Sequence, residues 1–311
     1  MGRMPTPCDF PFASHWHGEL GMRQHYLDEG RGAPVLLLHG NPSWSYLWRR
    51  LVADLRADHR CIAPDHIGMG WSDRPRSSAY PYTALRRLAD LEDLMDHLVG
   101  DKDAPKDGWT LVAHDWGGAI GMAWARRHPG RVARLVLLNT AAFPWPPGYR
   151  LPPVVDLIRR SPLVAAAAHR ANAFVRASVR LGTVQPMPRS VRTAFTAPYR
   201  ALRNREAIVR FVQDIPLSRQ DPSWPLVSSA AAEETEHLRH LPTFIGWGDQ
   251  DPVFTPAIAR EWQRRLPHAH IEHYPDAGHY VLEDAHERLV PAIRTFLTAN
   301  PPAPGPTGRK P

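Results

Sequence analysis

The chain has 311 residues, 43% of them apolar, and a formal net charge of +7 at pH 7. This length suits one large domain with an insertion, or two small domains. No apolar run approaches the roughly 18 residues of a membrane span, and no motif accompanies the basic charge to indicate nucleic acid as a partner. Two cysteines make neither a disulfide framework nor a zinc site, and the start lacks the apolar core of a signal peptide, so we expect a cytoplasmic protein.

The first half of the chain alternates apolar strands with helices. Residues 1–11 are predicted to be a flexible arm, and two short strands should follow before residue 27. Beyond them we predict strands at 35–39, 61–65, 110–113 and 135–138 and helices at 44–55, 84–99 and 117–127. Continuous apolar strands suit burial on both faces. Their alternation with helices predicts a parallel sheet that is covered on both sides.

This alternation is interrupted after Asn139. Five prolines between 144 and 153 precede a stretch rich in alanine and arginine, which we predict to be helices separated by prolines. Strands at 243–247 and 270–274 and helices at 256–265 and 284–297 then resume the pattern. The sequence therefore predicts an α/β core at 12–143 and 241–298, a helical insertion at 144–240 and a disordered tail at 299–311.

A nucleophile elbow is indicated between the strand at 110–113 and the following helix. The sequence AHDWGG at 113–118 has the pattern small-x-nucleophile-x-small, in which small residues permit a tight turn. Asp115 is the central residue, and the helix N-terminus favours its anion. An ionised carboxylate can attack carbon without a base to activate it. The alternative is that Asp115 only caps the helix.

His279 follows the last predicted strand, as expected for the order nucleophile, acid, base. We predict that it deprotonates a water that cleaves a covalent intermediate. A base of this kind needs an acid partner. Asp251 in GDQD is the predicted partner, and Asp249 in the same loop is the alternative. Asn139, at the other position where such an acid occurs, cannot serve.

Two neutral donors are predicted beside the nucleophile. In α/β-hydrolases the loop after the strand at 35–39 supplies an oxyanion-hole donor, and here it holds Asn41. The indole N–H of Trp116 can only donate. Together they suit a departing or developing anion. The alternatives are a turn residue before proline for Asn41 and core filling for Trp116. The segment 65–73 is assigned a structural role, because no metal-ligand set accompanies it.

The motifs HGNP (39–42), HDWGG (114–118), GDQD (248–251) and GHY (278–280) together resemble those of haloalkane dehalogenases. The resemblance covers essentially 12–298. It implies an α/β-hydrolase fold, with a mostly parallel eight-stranded sheet and a helical cap inserted after the sixth strand. It also implies that Asp115 is the nucleophile, that Asn41 and Trp116 bind the halide, and that no cofactor or metal takes part.

Four segments are more similar to the β-lactone decarboxylases of bacterial long-chain olefin biosynthesis: 10–12, 139–143, 211–217 and 276–284. A β-lactone presents a carboxylate-like oxygen where a halide would sit, so the same two donors suit both reactions. This likeness implies a cis-β-lactone decarboxylase that gives a long-chain cis-alkene and CO2. Haloalkane dehalogenase is the alternative. Further alternatives are an epoxide or ester hydrolase, with Tyr149 or Tyr199 offered as an epoxide-opening phenol, and a non-catalytic ligand-binding homologue.

Apolar residues and arginines are interspersed through 150–240. This pattern predicts amphipathic helices with an apolar face toward Asp115 and an arginine face outward. A hydrophobic small-molecule substrate is nearly insoluble, so we expect the basic cap face to dock on an anionic membrane surface or a biosynthetic partner enzyme. The alternative is that these arginines are solvent-exposed charges that keep the surface hydrated and bind no partner.

Overall fold

The computed structural model describes residue 7 and residues 9–100, 107–228 and 236–302. Its centre is an eight-stranded sheet with the order β1-β2-β4-β3-β5-β6-β7-β8. β2 pairs antiparallel with β1 and β4, and all other neighbours are parallel. The strands are β1 (His15–His17), β2 (Gln24–Glu29), β3 (Ala33–Leu38), β4 (His59–Pro64), β5 (Trp109–Asp115), β6 (Val132–Thr140), β7 (Thr243–Gly248) and β8 (His270–Tyr274).

Helices cover both faces of this sheet, and the inner strands β3, β5 and β6 are accordingly buried along most of their length. The core helices are α1 (Arg49–Leu55), α2 (Ala84–Gly100), α3 (Trp116–Arg127), α9 (Pro256–Arg265), α10 (Val281–Asp284) and α11 (His286–Ala299). Because parallel strands all end at the same edge, the loops that follow β3, β5, β7 and β8 meet there.

A helical cap is inserted between β6 and β7. Its helices are α4 (Pro153–Arg160), α5 (Pro162–Ala171), α6 (Ala173–Leu181), α7 (Arg189–Thr196) and α8 (Glu206–Gln213). Prolines separate some of these helices: Pro162 ends α4 and begins α5, and Pro188 directly precedes α7. The predicted fold class, an α/β-hydrolase fold with a cap after the sixth strand, is confirmed. No helix among the described residues is long and apolar enough to span a bilayer.

The flexible arm predicted at 1–11 is wrong at its C-terminal end. Phe10 is fully buried, and its ring packs edge-on against those of Phe12 and Trp44. The Asp9 carboxylate accepts a hydrogen bond of 2.8 Å from Arg49. The sequence prediction missed the contacts with Trp44 and Arg49 because these partners lie more than thirty residues away along the chain. Residues 1–6 and 8 lie outside the described part of the chain.

Other element boundaries differ locally from the predictions. The helix predicted at 44–55 begins as a 3-10 turn, Ser45–Trp48, before α1. The closing helix predicted at 284–297 is two helices that meet at Ala285. The disordered tail predicted from 299 is wrong at its start, since Ala299 ends α11 and the Asn300 carbonyl accepts a hydrogen bond from buried Arg134. Residues 303–311 lie outside the described residues.

Candidate active site

Asp115 is the last residue of β5 and directly precedes α3. Its backbone has φ of 52°, a conformation that costs energy for any residue with a side chain and that recurs at functional turns. A Cβ atom at Gly117 would lie 1.9 Å from the Leu38 carbonyl oxygen, and one at Gly118 would lie 1.9 Å from the Thr140 hydroxyl. The turn therefore requires both glycines, as expected for a nucleophile elbow.

Two backbone amides donate to the Asp115 carboxylate. The Asn41 N–H donates to Oδ1 at 2.6 Å, and the Trp116 N–H also donates to the carboxylate. A Cβ atom at Gly40 would lie 1.9 Å from the same Oδ1, so only glycine lets this loop approach. The Asn41 amide therefore holds Oδ1, and Oδ2, which lies 3.8 Å from Nε2 of His279, is the oxygen available to attack.

The imidazole of His279 lies between two carboxylates. Its Nδ1 is 2.8 Å from Oδ2 of Asp251, and its Nε2 is 3.8 Å from Oδ2 of Asp115. Asp249 instead contacts the exposed His273 at 2.7 Å. The structure thus brings Asp251, rather than Asp249, to His279.

Asp251 is buried and held by several donors. Its Oδ1 accepts from the amides of Val253 at 2.7 Å and Phe254 at 3.0 Å. Asn139 donates from Nδ2 to Oδ2 at 3.0 Å, and its own Oδ1 accepts from the Gly248 amide. Burial raises the pKa of Asp251, but the charge and hydrogen bond of His279 and the two amides lower it below its ordinary value. Asn139 therefore orients the acid, a role that the sequence analysis missed.

The two carboxylates differ in electrostatics. Burial raises the pKa of Asp115 to about 6, although the charge of His279 and the amides of Trp116 and Asn41 favour its ionised form. Burial also lowers the pKa of His279, but Asp251 and then Asp115 more than offset this, so the net shift is upward. At neutral pH the site therefore holds an ionised nucleophile beside an imidazole whose positive form is stabilised.

The predicted anion donors have different surroundings. Trp116 lines the cavity above Asp115, and its indole N–H makes no hydrogen bond to any described residue. Asn41 donates from Nδ2 to the Ile208 carbonyl in α8 at 3.0 Å, which leaves one N–H hydrogen of that amide group. Trp116 is thus free to bind an anion, while the Asn41 side chain is already partly engaged by the cap.

His114, within the HDWGG motif, is a further site residue that the sequence analysis did not single out. Its Nε2 lies 2.8 Å from the His279 carbonyl oxygen, and the two rings are 4.6 Å apart. Burial, with the neighbouring charge of His279, lowers the pKa of His114 to about 3, so its ring is neutral and donates. This bond positions the backbone of the base.

An apolar cavity lies above Asp115 and Trp116. It offers about 60 Å³ to the centres of water-sized molecules, and both core and cap contribute its walls. The apolar lining consists of Ala119, Ala141, Phe143, Trp145, Leu151, Ile215, Pro216, Val227, Val253 and Phe254.

Tyr149 and Tyr199, the phenols offered for epoxide opening, are absent from this lining. The Tyr149 hydroxyl donates to the Val253 carbonyl at 2.7 Å, and the Tyr199 hydroxyl donates to the Ser43 carbonyl at 3.1 Å. Neither observation favours an epoxide hydrolase.

The segment 65–73 has structural contacts, in line with its predicted role. Asp65 accepts from the Ser45 amide at 2.6 Å, from the Trp71 amide at 2.8 Å and contacts the His25 ring at 2.8 Å. Within the part of the chain that the structure describes, no group of three or more His, Cys, Asp or Glu side chains is arranged to hold a metal ion.

Comparison with known proteins gives consistent results. The family model for the alpha/beta hydrolase fold matches residues 33–286. The chain is 43% identical over 289 residues to a cis-3-alkyl-4-alkyloxetan-2-one decarboxylase of Shewanella oneidensis, covering 93% of this chain and 89% of the relative. It is 45% identical over 288 residues to the protein of the same name from Xanthomonas campestris, covering 90% and 94%.

Haloalkane dehalogenases are similar at lower identity. Haloalkane dehalogenase 2 of Mycobacterium bovis is 35% identical over 290 residues, covering 93% of this chain and 96% of the relative. The crystal structure of haloalkane dehalogenase DatA from Agrobacterium tumefaciens superposes with a TM-score of 0.80 at 24% identity, over 95% and 99% of the two chains, and supports the fold alone.

The fold, the elbow and these relatives define an enzyme of the α/β-hydrolase fold. Within that class, the chain belongs to the family that contains the cis-3-alkyl-4-alkyloxetan-2-one decarboxylases and the haloalkane dehalogenases.

Proposed function

We propose that this enzyme is a cis-β-lactone decarboxylase, which converts a cis-3,4-dialkyl-oxetan-2-one into a long-chain cis-alkene and CO2. The observation that carries the proposal is the identity of 43% and 45% to two decarboxylases, against 35% to a dehalogenase, over nearly the whole chain. The site supports it, because an ionised Asp115 beneath an apolar cavity suits attack on a carbon that bears alkyl chains.

In the first proposed step, Oδ2 of Asp115 attacks ring carbon C4 and forms a C–O ester bond as the C4–O1 bond breaks. The ring oxygen keeps the bonding electrons and becomes part of a free carboxylate. The Trp116 indole and the remaining N–H of Asn41 are the neutral donors for that anion. The Asn41 amide meanwhile holds Oδ1 in place, and the Trp116 amide donates to the same carboxylate.

In the second proposed step, the new carboxylate leaves as CO2. Its C–C bonding electrons form the alkene and expel Asp115 as a free carboxylate, so the enzyme is regenerated and no water is consumed. Inversion at C4 followed by anti elimination converts a cis-lactone into a cis-alkene. The positive form of His279, stabilised by Asp251, supports the returning Asp115 anion across 3.8 Å.

The cavity limits how the substrate enters. A volume of 60 Å³ holds roughly four to six waters, which suits a small ring but not two long alkyl chains. We therefore expect the cap residues that contribute to its walls, Leu151, Ile215, Pro216 and Val227, to move apart when the substrate binds. The proposed substrate is a water-insoluble small molecule, and we propose a cytoplasmic enzyme that acts beside a membrane surface.

Hydrolytic dehalogenation is the second candidate, and one observation favours it. The gap of 3.8 Å between Nε2 of His279 and Oδ2 of Asp115 places the base beside the carboxyl group that would carry an alkyl ester. There it could deprotonate a water that attacks the ester. Trp116 and Asn41 would then bind the departing halide.

Product analysis by gas chromatography distinguishes the two reactions. Purified enzyme would be given a long-chain cis-β-lactone or a 1-haloalkane at equal concentration. We expect cis-alkene and CO2 from the lactone and little or no halide from the haloalkane. Rapid halide release with no alkene would overturn the proposal in favour of dehalogenation.

The variant His279→Ala tests whether water completes the reaction. With the haloalkane, a hydrolytic enzyme should be alkylated and then stall, leaving an adduct on Asp115 that intact mass spectrometry detects. With the lactone, the proposed route needs no water, so alkene should still form slowly without a lasting adduct. A stable lactone adduct of unchanged substrate mass would contradict the second step.

A further inference from the structure

A concave basic surface lies on the cap and shares no lining residue with the cavity above Asp115. It encloses about 640 Å³ between the α5–α6 turn, α6, α7 and the segment that leads to α8. No aspartate or glutamate lines it. We call its seven arginines the arginine groove: Arg170, Arg176, Arg180, Arg189, Arg192, Arg200 and Arg205.

The groove belongs to a stretch of sequence without acidic residues. Residues 157–205 contain ten arginines and no aspartate or glutamate. Arg159 and Arg160, which lie outside the groove, pair with Asp221 and Asp156. No groove arginine forms an ion pair with a described residue. The positive charge of the groove is therefore not neutralised from within the described structure.

Six of the seven groove arginines fall into two groups, and the seventh, exposed Arg180, donates to the Arg176 carbonyl at 3.5 Å. Arg192 and Arg205 are half-buried and held by backbone carbonyls. Arg192 donates to the Met187 carbonyl at 2.5 Å. Arg205 donates at 2.6 to 3.1 Å to carbonyls near the end of α5 and just before Arg205 itself, those of His169, Arg170, Tyr199 and Arg200. The guanidinium groups of Arg170, Arg176, Arg189 and Arg200 are exposed and make no hydrogen bond within the described chain. The groove thus combines two arginines that the backbone holds in place with exposed guanidinium groups whose donors are free.

Such an arrangement costs free energy when no anion is present. Like charges around one concavity repel each other, and the low-dielectric protein beneath strengthens that repulsion. Guanidinium groups also match phosphate geometrically, because each presents paired N–H donors in a plane. Charge and donor geometry both favour a ligand with several phosphate groups.

Exposed apolar side chains adjoin the groove in sequence. Leu181, which follows Arg180, is 74% exposed, and Leu202, which lies between Arg200 and Arg205, is 49% exposed. Elsewhere in the cap, Val154, Leu157 and Leu163 are 52% to 84% exposed. A soluble phosphate compound gains nothing from exposed leucines. Arginines mixed with exposed leucines are typical of segments that lie at the surface of a bilayer.

We propose that the arginine groove docks this protein on bilayers that contain anionic phospholipids, with lipid phosphates bound by the guanidinium groups and Leu181 and Leu202 inserted at the interface. The proposal concerns a second site, and it does not depend on which reaction Asp115 performs.

Vesicle co-sedimentation with the full-length protein tests the proposal. The vesicles would be pure phosphatidylcholine or phosphatidylcholine with about one third phosphatidylglycerol. We expect binding to the anionic vesicles at low ionic strength, weak binding to the neutral ones, and release as salt shortens the range of the electrostatic attraction. No binding to anionic vesicles at low salt, or equal binding to both compositions, would overturn the proposal.

The test variant is Arg176→Gln/Arg180→Gln/Arg189→Gln, which should weaken vesicle binding on the order of 100-fold. Its matched control is Arg31→Gln/Arg76→Gln/Arg260→Gln, which removes the same charge from exposed core arginines and should weaken binding less than about threefold by screened long-range attraction alone. An equal loss in both would indicate net charge rather than the groove and would overturn the proposal. If the test variant fails to fold, Arg170→Gln/Arg200→Gln replaces it.

Two further measurements separate the membrane from other ligands. Leu181→Ser/Leu202→Ser should weaken the part of binding that persists at high salt, because it removes apolar insertion. Inorganic phosphate or polyphosphate should not raise the thermal stability of the protein as anionic vesicles do. Equal stabilisation by a soluble phosphate would identify a small-anion site, and groove-dependent capture by an acidic protein without vesicle binding would identify a protein partner; either result overturns the proposal.

Discussion

The arginines that join elements of the sheet core differ from those of the arginine groove in the cap. In the core, Arg49 contacts Glu283 at 2.6 Å with both side chains nearly buried, and Arg294 contacts Asp54 at 2.7 Å. In the cap, the arginine groove has no carboxylate partner among the described residues. These core arginines are thus fixed by internal carboxylates, as a catalytic scaffold requires, while the arginine groove presents its charges to the outside.

The same contrast applies to the reacting groups. Asp115, Asp251 and His279 all lie at or beyond the ends of core strands. Backbone amides of core residues donate to the two carboxylates, and the His114 ring donates to the carbonyl of His279. The cap contributes apolar walls and the Ile208 carbonyl that contacts Asn41. The comparison indicates that catalysis depends on the core, and that the cap determines access and location.

The variant Asp115→Asn should cause the largest loss of turnover, because it changes the nucleophile held by the core. Turnover should fall by about 10³-fold or more, because an amide is a poor nucleophile. Burial raises the pKa of Asp115 to about 6, so ionising this carboxyl group lowers the stability of the folded protein. This destabilisation is absent below about pH 4 and reaches its full size above about pH 6. The variant should therefore melt at a higher temperature at pH 7, as differential scanning calorimetry would show. Retained turnover in a folded variant would show that Asp115 is not the nucleophile.

Asp251→Asn should have the next largest effect. Without the carboxylate, the positive form of His279 loses its main support, and turnover should fall on the order of 10²- to 10³-fold. The pH profile should change as well, because the pKa of His279 falls.

The matched control for Asp251→Asn is Asp249→Asn, since Asp249 lies in the same loop and contacts only His273 among the described side chains. Steady-state turnover of this control should stay within about twofold of the wild type. Equal losses in the two variants would show that the loop, rather than the His279 contact, is responsible.

A smaller effect is expected from pH. Only the ionised form of Asp115 attacks, so the rate of enzyme alkylation should fall about tenfold per pH unit below about pH 6. Single-turnover kinetics between pH 4 and pH 8 would measure this step. A rate that is constant down to pH 4.5 would mean that the amides of Asn41 and Trp116 lower the pKa of Asp115 by more than burial raises it.

The smallest effect on catalysis should come from a contact between cap and core. The Tyr199 hydroxyl donates to the Ser43 carbonyl at 3.1 Å and accepts from the Gly70 amide at 3.3 Å, away from the cavity. Tyr199→Phe should lower the free energy of unfolding by about 1 to 2 kcal/mol and change turnover less than about threefold. A large loss of turnover with unchanged stability would show that the cap acts in catalysis.

The family resemblance and the order of elements were predictable from the sequence because their signals are local. Apolar strands and amphipathic helices follow from residue periodicity, and α9 and β8 begin and end where that periodicity predicts. The elbow at Asp115 was also predictable, since its glycines are adjacent in the chain. The helix boundaries near Ala285 and the burial of Phe10 were not predictable from the sequence, because packing against distant residues decides them.

The candidate site shows the same division. From the sequence one can read which side chains could react: an acid in an elbow, a histidine after the last strand, and two acids in one loop. The folded structure adds that Asp251 contacts His279 while Asp249 contacts His273. It also adds that Asn139 and His114 orient the acid and the base, and that the cap engages the Asn41 side chain. Hydrogen bonds are selective over tenths of an ångström, and residues 28 to 167 positions apart in the chain reach that distance only through the packing of the whole sheet and cap.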